Sequence, residues 1–397
     1  MTTAVPIDLD ADEDRFSRFR LIAWWDQVRL RRARVLVIGA GALGNEIIKN
    51  LALLGVGQVF IADRDHIEES NLSRSVLFRT TDCGRSKADV AAGRARELFP
   101  DMLVQSFNGN ITYDLGLGVY RWADVIIGGL DNREARVAIN QAAAKTGKPW
   151  IDGAIERLDG VARVFDPATG PCYECTMSEI DWKMLAARRS CALLTRAEMD
   201  MGRVPTTPTT SSVIAGIQVQ EAVKLLHGLP TMAGQGFIFD GMHHQSYMVT
   251  YSRLEDCPSH DAMTPIETLS WSIADTTVGK LLDRVRSDLG PTAVIEVNHD
   301  LLSSLTCVAC DQTYPHFASL GKVTEAEGRC PNCGTPCTPN MYHTLGDDSP
   351  LDKTLLELGV PLLDVLTGRC GMEQRYYEFA GDRERVLGHL AECGDQL

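Results

Sequence analysis

The sequence predicts an α/β protein: a doubly wound, mostly parallel sheet, followed by a smaller α+β unit with a zinc-ribbon spacing. Three observations predict it. An apolar, β-branched run, RVLVI at 34–38, leads into Gly39, Gly41 and Gly44 and then into the helical stretch NEIIKNLALLG. Beyond it, short apolar runs alternate with segments of helical periodicity. Past 261–266 the composition changes, and two CxxC pairs, CVAC at 307–310 and CPNC at 330–333, stand nineteen residues apart.

RVLVI reads as a strand buried on both faces, as in a parallel sheet. VFIAD at 59–63 is the next strand, and SKADVAAGRARELF at 86–99 is a helix with a Ser N-cap. Strands recur at 103–108 and 124–129, with a helix from about 133 to 147. Strand alternating with helix builds a doubly wound sheet. PWIDGAI, GVARVF, FIFDG and YMVTYS extend it, some of them antiparallel, and TTSSVIAGIQVQEAVKLLHG is a helix ending at Gly228. The later stretch reads as strand, helix, strand, a helical turn at TLLELGVPLLDVL, and two strands. The expected divisions are 1–265, then 266–381 with a ribbon insertion at 305–340, then a charged tail at 382–397.

A chain of 397 residues with 44% hydrophobic and 23% charged residues has the composition of a folded globular protein with room for two cores. Its net charge of −14 argues against nucleic acid, whose phosphates demand a basic surface. The acidic start, MTTAVPIDLDADEDR, lacks the apolar centre of a signal peptide, and no run of 18 apolar residues exists to span a membrane. A cytoplasmic location is expected. Of the twelve cysteines, six fall into CxxC pairs, which without export signals favour zinc over disulfides.

G-x-G-x-x-G after a strand places phosphates at a helix N-terminus. Asp63 stands nineteen residues past Gly44, where an acid can take ribose hydroxyls. On the glycines alone a nicotinamide-dependent dehydrogenase fits equally well. The next residues favour a triphosphate. Asn71 and Arg74 can reach phosphates, Lys87 opens the next helix, and Asp131-Asn132 lies past the end of the fourth strand, where a carboxylate suits magnesium. No G-x-x-x-x-G-K-[ST] is present, which excludes the P-loop route to ATP.

The glycine motif, D-x-D at 63–65, SNLxR at 70–74, Lys87 and the DN pair resemble the ubiquitin-activating enzyme superfamily, from RFSR at 15–18 to about residue 260. The resemblance implies a Rossmann-like sheet of the activating-enzyme type and ATP-dependent adenylation of a ubiquitin-like protein's C-terminal glycine. It assigns Gly39, Gly41, Gly44, Asp63, Asn71, Arg74, Lys87, Asp131 and Asn132 to ATP, and Asp131 to Mg²⁺. Arg18 corresponds to the arginine that the family reaches across a dimer interface, so a homodimer with two sites is implied.

In the same family a CxxC pairs with a downstream ligand pair. That implies a zinc site of Cys172, Cys175, Cys257 and His260, with His260 as an ordinary surface histidine the alternative. Cys307, Cys310, Cys330 and Cys333 have ribbon spacing on their own account, a second zinc per chain, with Cys337 a possible substitute ligand. Zinc ribbons often bind nucleic acid, but the acidic, aromatic-poor surroundings favour a structural or protein-binding role.

Cys191 is left single. Arg188-Arg189 precede it, and cations beside a thiol favour the nucleophilic thiolate. By position it resembles the thioester-forming cysteine of the family's crossover segment; the alternative is a small buried hydrophobe. With the ribbon cut out, the C-terminal unit resembles the ubiquitin-fold domain that recruits a conjugating enzyme. The ribbon departs from the eukaryotic pattern and suggests a prokaryotic single-chain form, as in bacterial ubiquitin-like conjugation operons. Two other readings stand: a sulfur-carrier-protein adenylyltransferase without thioester relay, and an inactive zinc-stabilised scaffold.

Overall fold

The computed structural model describes residues 14–168, 170–183 and 205–392. A short helix α1 (Gln27–Arg32) leads into β1 (Arg34–Ile38), and α2 (Ala42–Leu54) carries the chain to β2 (Gln58–Ala62). Next come α3 (Lys87–Leu98), β3 (Leu103–Phe107), α4 (Leu117–Trp122), β4 (Val125–Gly128), α5 (Arg133–Thr146) and β5 (Trp150–Glu156). These five strands are parallel, in the order β3-β2-β1-β4-β5. The sheet continues antiparallel through β6 (Asp159–Phe165), β7 (Gln235–Asp240) and β8 (Gln245–Thr250), with α6 (Pro208–His227) between β6 and β7.

Alternation along the parallel strands divides the core into two layers. Val35, Val37, Val59 and Ile61 face α2, α3 and α6, meeting Ile48, Leu51, Ala91 and Val219. Leu36, Ile38, Phe60 and Ile126 face the other way, against Val119 and Trp122 of α4 and Val137 of α5. Local chemistry starts the helices where the sequence predicts. Ser86 Oγ accepts from Asp89 N at 3.2 Å, and Thr207 caps α6 with Pro208 at its first position.

The second unit contains β9 (Ile266–Leu269), α7 (Val278–Leu289), β10 (Val294–Cys307), β11 (Gln312–Ser319), β12 (Thr338–Leu345), β13 (Val365–Cys370) and β14 (Glu373–Phe379). Its sheet order is β11-β10-β13-β14-β9, with β12 also on β10 and only the β14–β9 pair parallel. Leu281, Leu282 and Val285 of α7 pack on Ile295, Leu366 and Tyr377 of the sheet.

Part of the segment expected as a charged tail packs on the core. Residues 383–387 form helix α8 (Arg383–Leu387), and the fully buried Leu387 and nearly buried Leu390 join the α4/α5 layer of the main core. Hydrophobic burial at two positions outweighs the polar character of the rest of the stretch.

The two units also share a polar joint. Buried Asp364 accepts from Leu117 N at 2.9 Å and from Asn298 Nδ2 at 3.1 Å, while Lys145 Nζ donates to Asn298 Oδ1 at 2.9 Å. Arg121 pairs with buried Glu378, and Lys322 at the foot of the ribbon pairs with Asp114. Among the described residues no helix is long and apolar enough to cross a membrane.

Candidate functional site

Strand order reverses between β1 and β4, and open α/β sheets bind ligands in the crevice beyond the strand ends at such a point. The turn after β1 is built for close approach. Gly39 has φ +94°, and a Cβ there would lie 2.5 Å from Gly129 O; one at Gly44 would lie 1.9 Å from Gly39 O. Any side chain at either position would force the turn apart. Gly41 is different, because a Cβ on it meets nothing within 4 Å. It caps α2, leaving that helix's first N–H groups directed at the crevice.

Asp63 closes the end of β2. Its Oδ2 accepts from Ala40 N at 2.6 Å and its Oδ1 from Asp65 N at 2.7 Å. Burial pushes this carboxyl above its ordinary range, and the opposing pull of Lys87 does not fully offset it. Lys87 begins α3, its side chain only 12% exposed, with Nζ 3.0 Å from Asp65 Oδ2. In the intervening loop Asn71 Oδ1 accepts from Glu68 N at 3.0 Å, and Arg74 Nη1 donates to Ser70 O at 2.7 Å.

One residue that belongs to no recognised motif ties this loop down. Fully buried Asn45 accepts from Leu77 N at 2.8 Å and donates to Ala40 O at 2.7 Å, joining the loop after β2 to the glycine turn. Its only sequence signal is a polar side chain on the buried face of α2. Past β4, Asn132 caps α5 by accepting from Ala135 N at 2.8 Å, and its Nδ2 lies 3.3 Å from Asp131 Oδ1. The Asp131 carboxylate is left exposed above the strand end.

The structure does not bring Arg18 to this crevice within one chain. Phe16, two residues away, packs on Phe99 (ring centroids 5.8 Å apart) and against Gly55. Phe99 and Gly55 precede β3 and β2, at the opposite end of the sheet. Arg18 is exposed, and among the described residues its guanidinium has no ion-pair partner.

Both cysteine clusters assemble. Cys172 Sγ lies 3.5 Å from Cys257 Sγ and 3.7 Å from Cys175 Sγ, and Cys175 Sγ lies 3.2 Å from His260 Nε2. Cys307 and Cys333 are 3.6 Å apart, Cys310 and Cys330 3.9 Å. Within each set of four, all ligand atoms fall within 4.8 Å of one another. A tetrahedron with Zn–S of about 2.3 Å has edges of about 3.8 Å, so both donor sets fit zinc in chemistry and spacing. Cys337 is buried beside the second set, its Sγ 3.9 Å from Thr335 O, outside the group of four. Burial lowers the His260 pKa, favouring the neutral imidazole that metals take. Purified protein is expected to contain about two zinc ions per chain by elemental analysis, because closed four-ligand sites bind tightly; one or fewer would remove a site.

Cys191, with Arg188 and Arg189, lies outside the described residues. The chain is helical at 179–183, and at its return Pro205 O accepts from Arg157 N at 2.6 Å, at the β5–β6 hairpin.

The model of the ThiF family matches residues 14–259, the span of the main sheet and of Cys172, Cys175 and Cys257 of the first cluster. The chain belongs to the ThiF family. That places it in the ubiquitin-activating enzyme superfamily its motifs resemble. A Thermus thermophilus sulfur carrier protein adenylyltransferase is 34% identical over 238 residues, 58% of this chain and 83% of that one. The Haloferax volcanii SAMP-activating enzyme E1 is 33% identical over 264 residues, 64% of this chain and 90% of the relative. The NEDD8-activating enzyme E1 catalytic subunit of Schizosaccharomyces pombe is 41% identical over 157 residues, 38% of this chain and 35% of that subunit. Among solved structures, Escherichia coli MccB with ATP superposes with a TM-score of 0.53 at 20% identity, over 64% of this chain and 75% of MccB, a likeness of fold.

Proposed function

We propose that this ThiF-family chain adenylates the C-terminal glycine of a ubiquitin-like carrier protein with ATP, holds the acyl group as a thioester on Cys191, and passes it to a conjugating-type enzyme. The crevice at the β1/β4 reversal carries the adenylation reading. There a glycine turn, an acid at the end of β2, the cations Lys87 and Arg74, and the carboxylate Asp131 all follow the C-terminal ends of the neighbouring strands β1, β2 and β4. In this reading Asp63 holds the ribose and Asn71, Arg74 and Lys87 hold phosphates. Asp131, with Asn132 beside it, holds Mg²⁺, which supplies charge neutralisation when bound with the triphosphate. A carboxylate oxygen of the carrier's terminal glycine attacks the α-phosphorus, the bond to the β-phosphate oxygen breaks, and pyrophosphate leaves. The cations that hold the phosphates are suited to the charge that shifts in that direction.

An apolar groove of about 640 Å³, lined by Trp24, Leu53, Val219 and Val223, opens between α2 and α6, with Leu21 and Val28 exposed nearby. A surface of this kind supports a homodimer, in which Arg18 serves the partner copy's crevice. The mixed sheet packed on α7 supports a ubiquitin-fold-like unit from residue 266 that recruits the conjugating enzyme. The name of the Thermus relative supports a carrier protein as substrate. The 83% coverage of the Thermus adenylyltransferase also favours a second reading, in which the chain stops at the acyl-adenylate. Incubated with ATP, labelled pyrophosphate and candidate carriers, the protein is expected to exchange label only with a carrier ending in an intact glycine. Exchange indifferent to the carrier's C-terminus would overturn the substrate assignment.

A further inference from the structure

Beneath the N-terminus of α5 lies a set of buried charges that neither the nucleotide nor the zinc assignment uses. Asp152 on β5 has no exposed surface. Pairing of β5 with β6 sets it opposite Arg163, which donates to Asp152 Oδ2 through Nε at 3.0 Å and also through Nη2. Arg136 of α5 donates to Oδ1 through Nε at 2.8 Å. Burial would raise the Asp152 pKa, but the charges of Arg163 and Arg136 outweigh it and hold the group as a carboxylate.

The two arginines reach in opposite directions. Arg136 Nη2 donates to Leu130 O at 2.7 Å and Gly153 O at 3.0 Å, and Leu130 directly precedes Asp131. Arg163 Nη1 donates to Thr176 Oγ1 at 3.4 Å, and its guanidinium stands 5.0 Å from the Tyr173 ring centroid. Tyr173 and Thr176 belong to the knuckle of Cys172 and Cys175. From the same knuckle buried Glu174 returns to the middle of α5, accepting from Asn140 at 2.9 Å and Gln141 at 3.3 Å, and from Ser259 between Cys257 and His260. The cysteine–histidine cluster thus holds the middle of α5, and a continuous polar chain runs from it to the carbonyl before Asp131.

We propose that Asp152 is a positioning residue for adenylation: through Arg136 it fixes the Leu130 carbonyl and so aims Asp131 at the nucleotide-bound cation, and through Arg163 it couples that aim to the cysteine–histidine knuckle. The proposal rests on Asp131 being the magnesium ligand. Groups hydrogen-bonded to a metal ligand are worth roughly 10- to 100-fold in metal affinity; Arg136 acts one residue back, through the Leu130 carbonyl, so the lower end of that range is expected.

The test is Mn²⁺ binding monitored by electron paramagnetic resonance in the presence of a non-hydrolysable ATP analogue. Asp152→Asn and Arg136→Lys are each expected to raise the half-saturating Mn²⁺ concentration roughly tenfold with zinc content unchanged, and excess Mg²⁺ should restore pyrophosphate exchange. Asp152→Asn leaves two buried guanidiniums without their carboxylate and risks misfolding. Arg136→Lys keeps the charge but cannot hold Asp152 and Leu130 with one planar fork, so it carries the test by itself. Asp131→Ala is measured alongside. Parent-like Mn²⁺ affinity in Asp131→Ala would overturn the magnesium assignment and the proposal with it. Lost affinity in Asp131→Ala with parent affinity in folded Arg136→Lys would overturn the positioning role alone.

Discussion

Asp131→Ala is expected to lower carrier-dependent pyrophosphate exchange by roughly a hundredfold or more, because a catalytic cation contributes several kcal/mol to stabilising displaced phosphate charge. The fold should survive. Asp131 is exposed, and α5 is capped by Asn132, which accepts from Ala135 N whatever occupies position 131. The loop before it stays held by Arg136 on Leu130 O. An unchanged melting temperature with lost exchange therefore assigns the effect to the site. Arg18→Ala should also be strongly impaired, for a different geometric reason, since its segment packs at the far end of its own sheet. Mixing the two inactive variants separates the roles. A hybrid dimer has one crevice lacking both groups and one lacking neither, so statistical mixing should recover roughly a quarter of the parent activity. No recovery after confirmed subunit exchange would place Arg18 in its own chain's chemistry, and exchange at the parent rate in Asp131→Ala would remove it from the site.

The parts of this architecture that depend on local chemistry were legible in the sequence. RVLVI reads as a strand covered on both faces, and its residues do divide between the two core layers. The glycines announced a tight turn because Gly39 and Gly44 approach other backbone too closely for a Cβ. Ser86 is a cap whose hydrogen bond stays within three residues. The x₂ spacing of each CxxC is likewise a local knuckle, but nothing in spacing joins Cys172 to Cys257; that link came from resemblance. What stayed hidden depends on long-range packing. Asp152 and Arg163 meet through strand register, and Arg136 meets them from a helix, so no sequence interval marks the three. Leu387 and Leu390 sit in a charged stretch that reads as a tail, and only the folded α4/α5 layer of the main sheet gives them something to pack on. Asp364 shows the same blindness: a carboxylate near the C-terminus caps the start of α4, in the other unit.

The largest qualitative effect belongs to Cys191→Ala. This variant should keep carrier-dependent exchange, because attack of a glycine carboxylate on the α-phosphorus uses no thiol. It should fail to form a reducible adduct with the carrier and fail to charge a conjugating-type enzyme. The lost step is attack of the Cys191 thiolate on the acyl-adenylate carbonyl, in which the C–S bond forms and AMP departs with the electron pair of the broken acyl–phosphate bond. An acyl-adenylate is already a strong electrophile, so a positioned thiolate needs little further help. Cys191→Ser should react more slowly and leave an oxygen ester that survives reducing agent, since a neutral hydroxyl is the weaker nucleophile. Cys172→Ala provides the contrast. It breaks a four-ligand cluster whose knuckle also holds α5 through Glu174, so both steps should fall together, along with zinc content and solubility. Independent loss of the second step alone is what a thioester-forming enzyme predicts and an adenylyltransferase without relay does not. Non-reducing gels of each variant with ATP and carrier read the difference directly: a dithiothreitol-sensitive adduct persisting in Cys191→Ala would move the nucleophile elsewhere, and its absence from the parent would favour the acyl-adenylate as the final product.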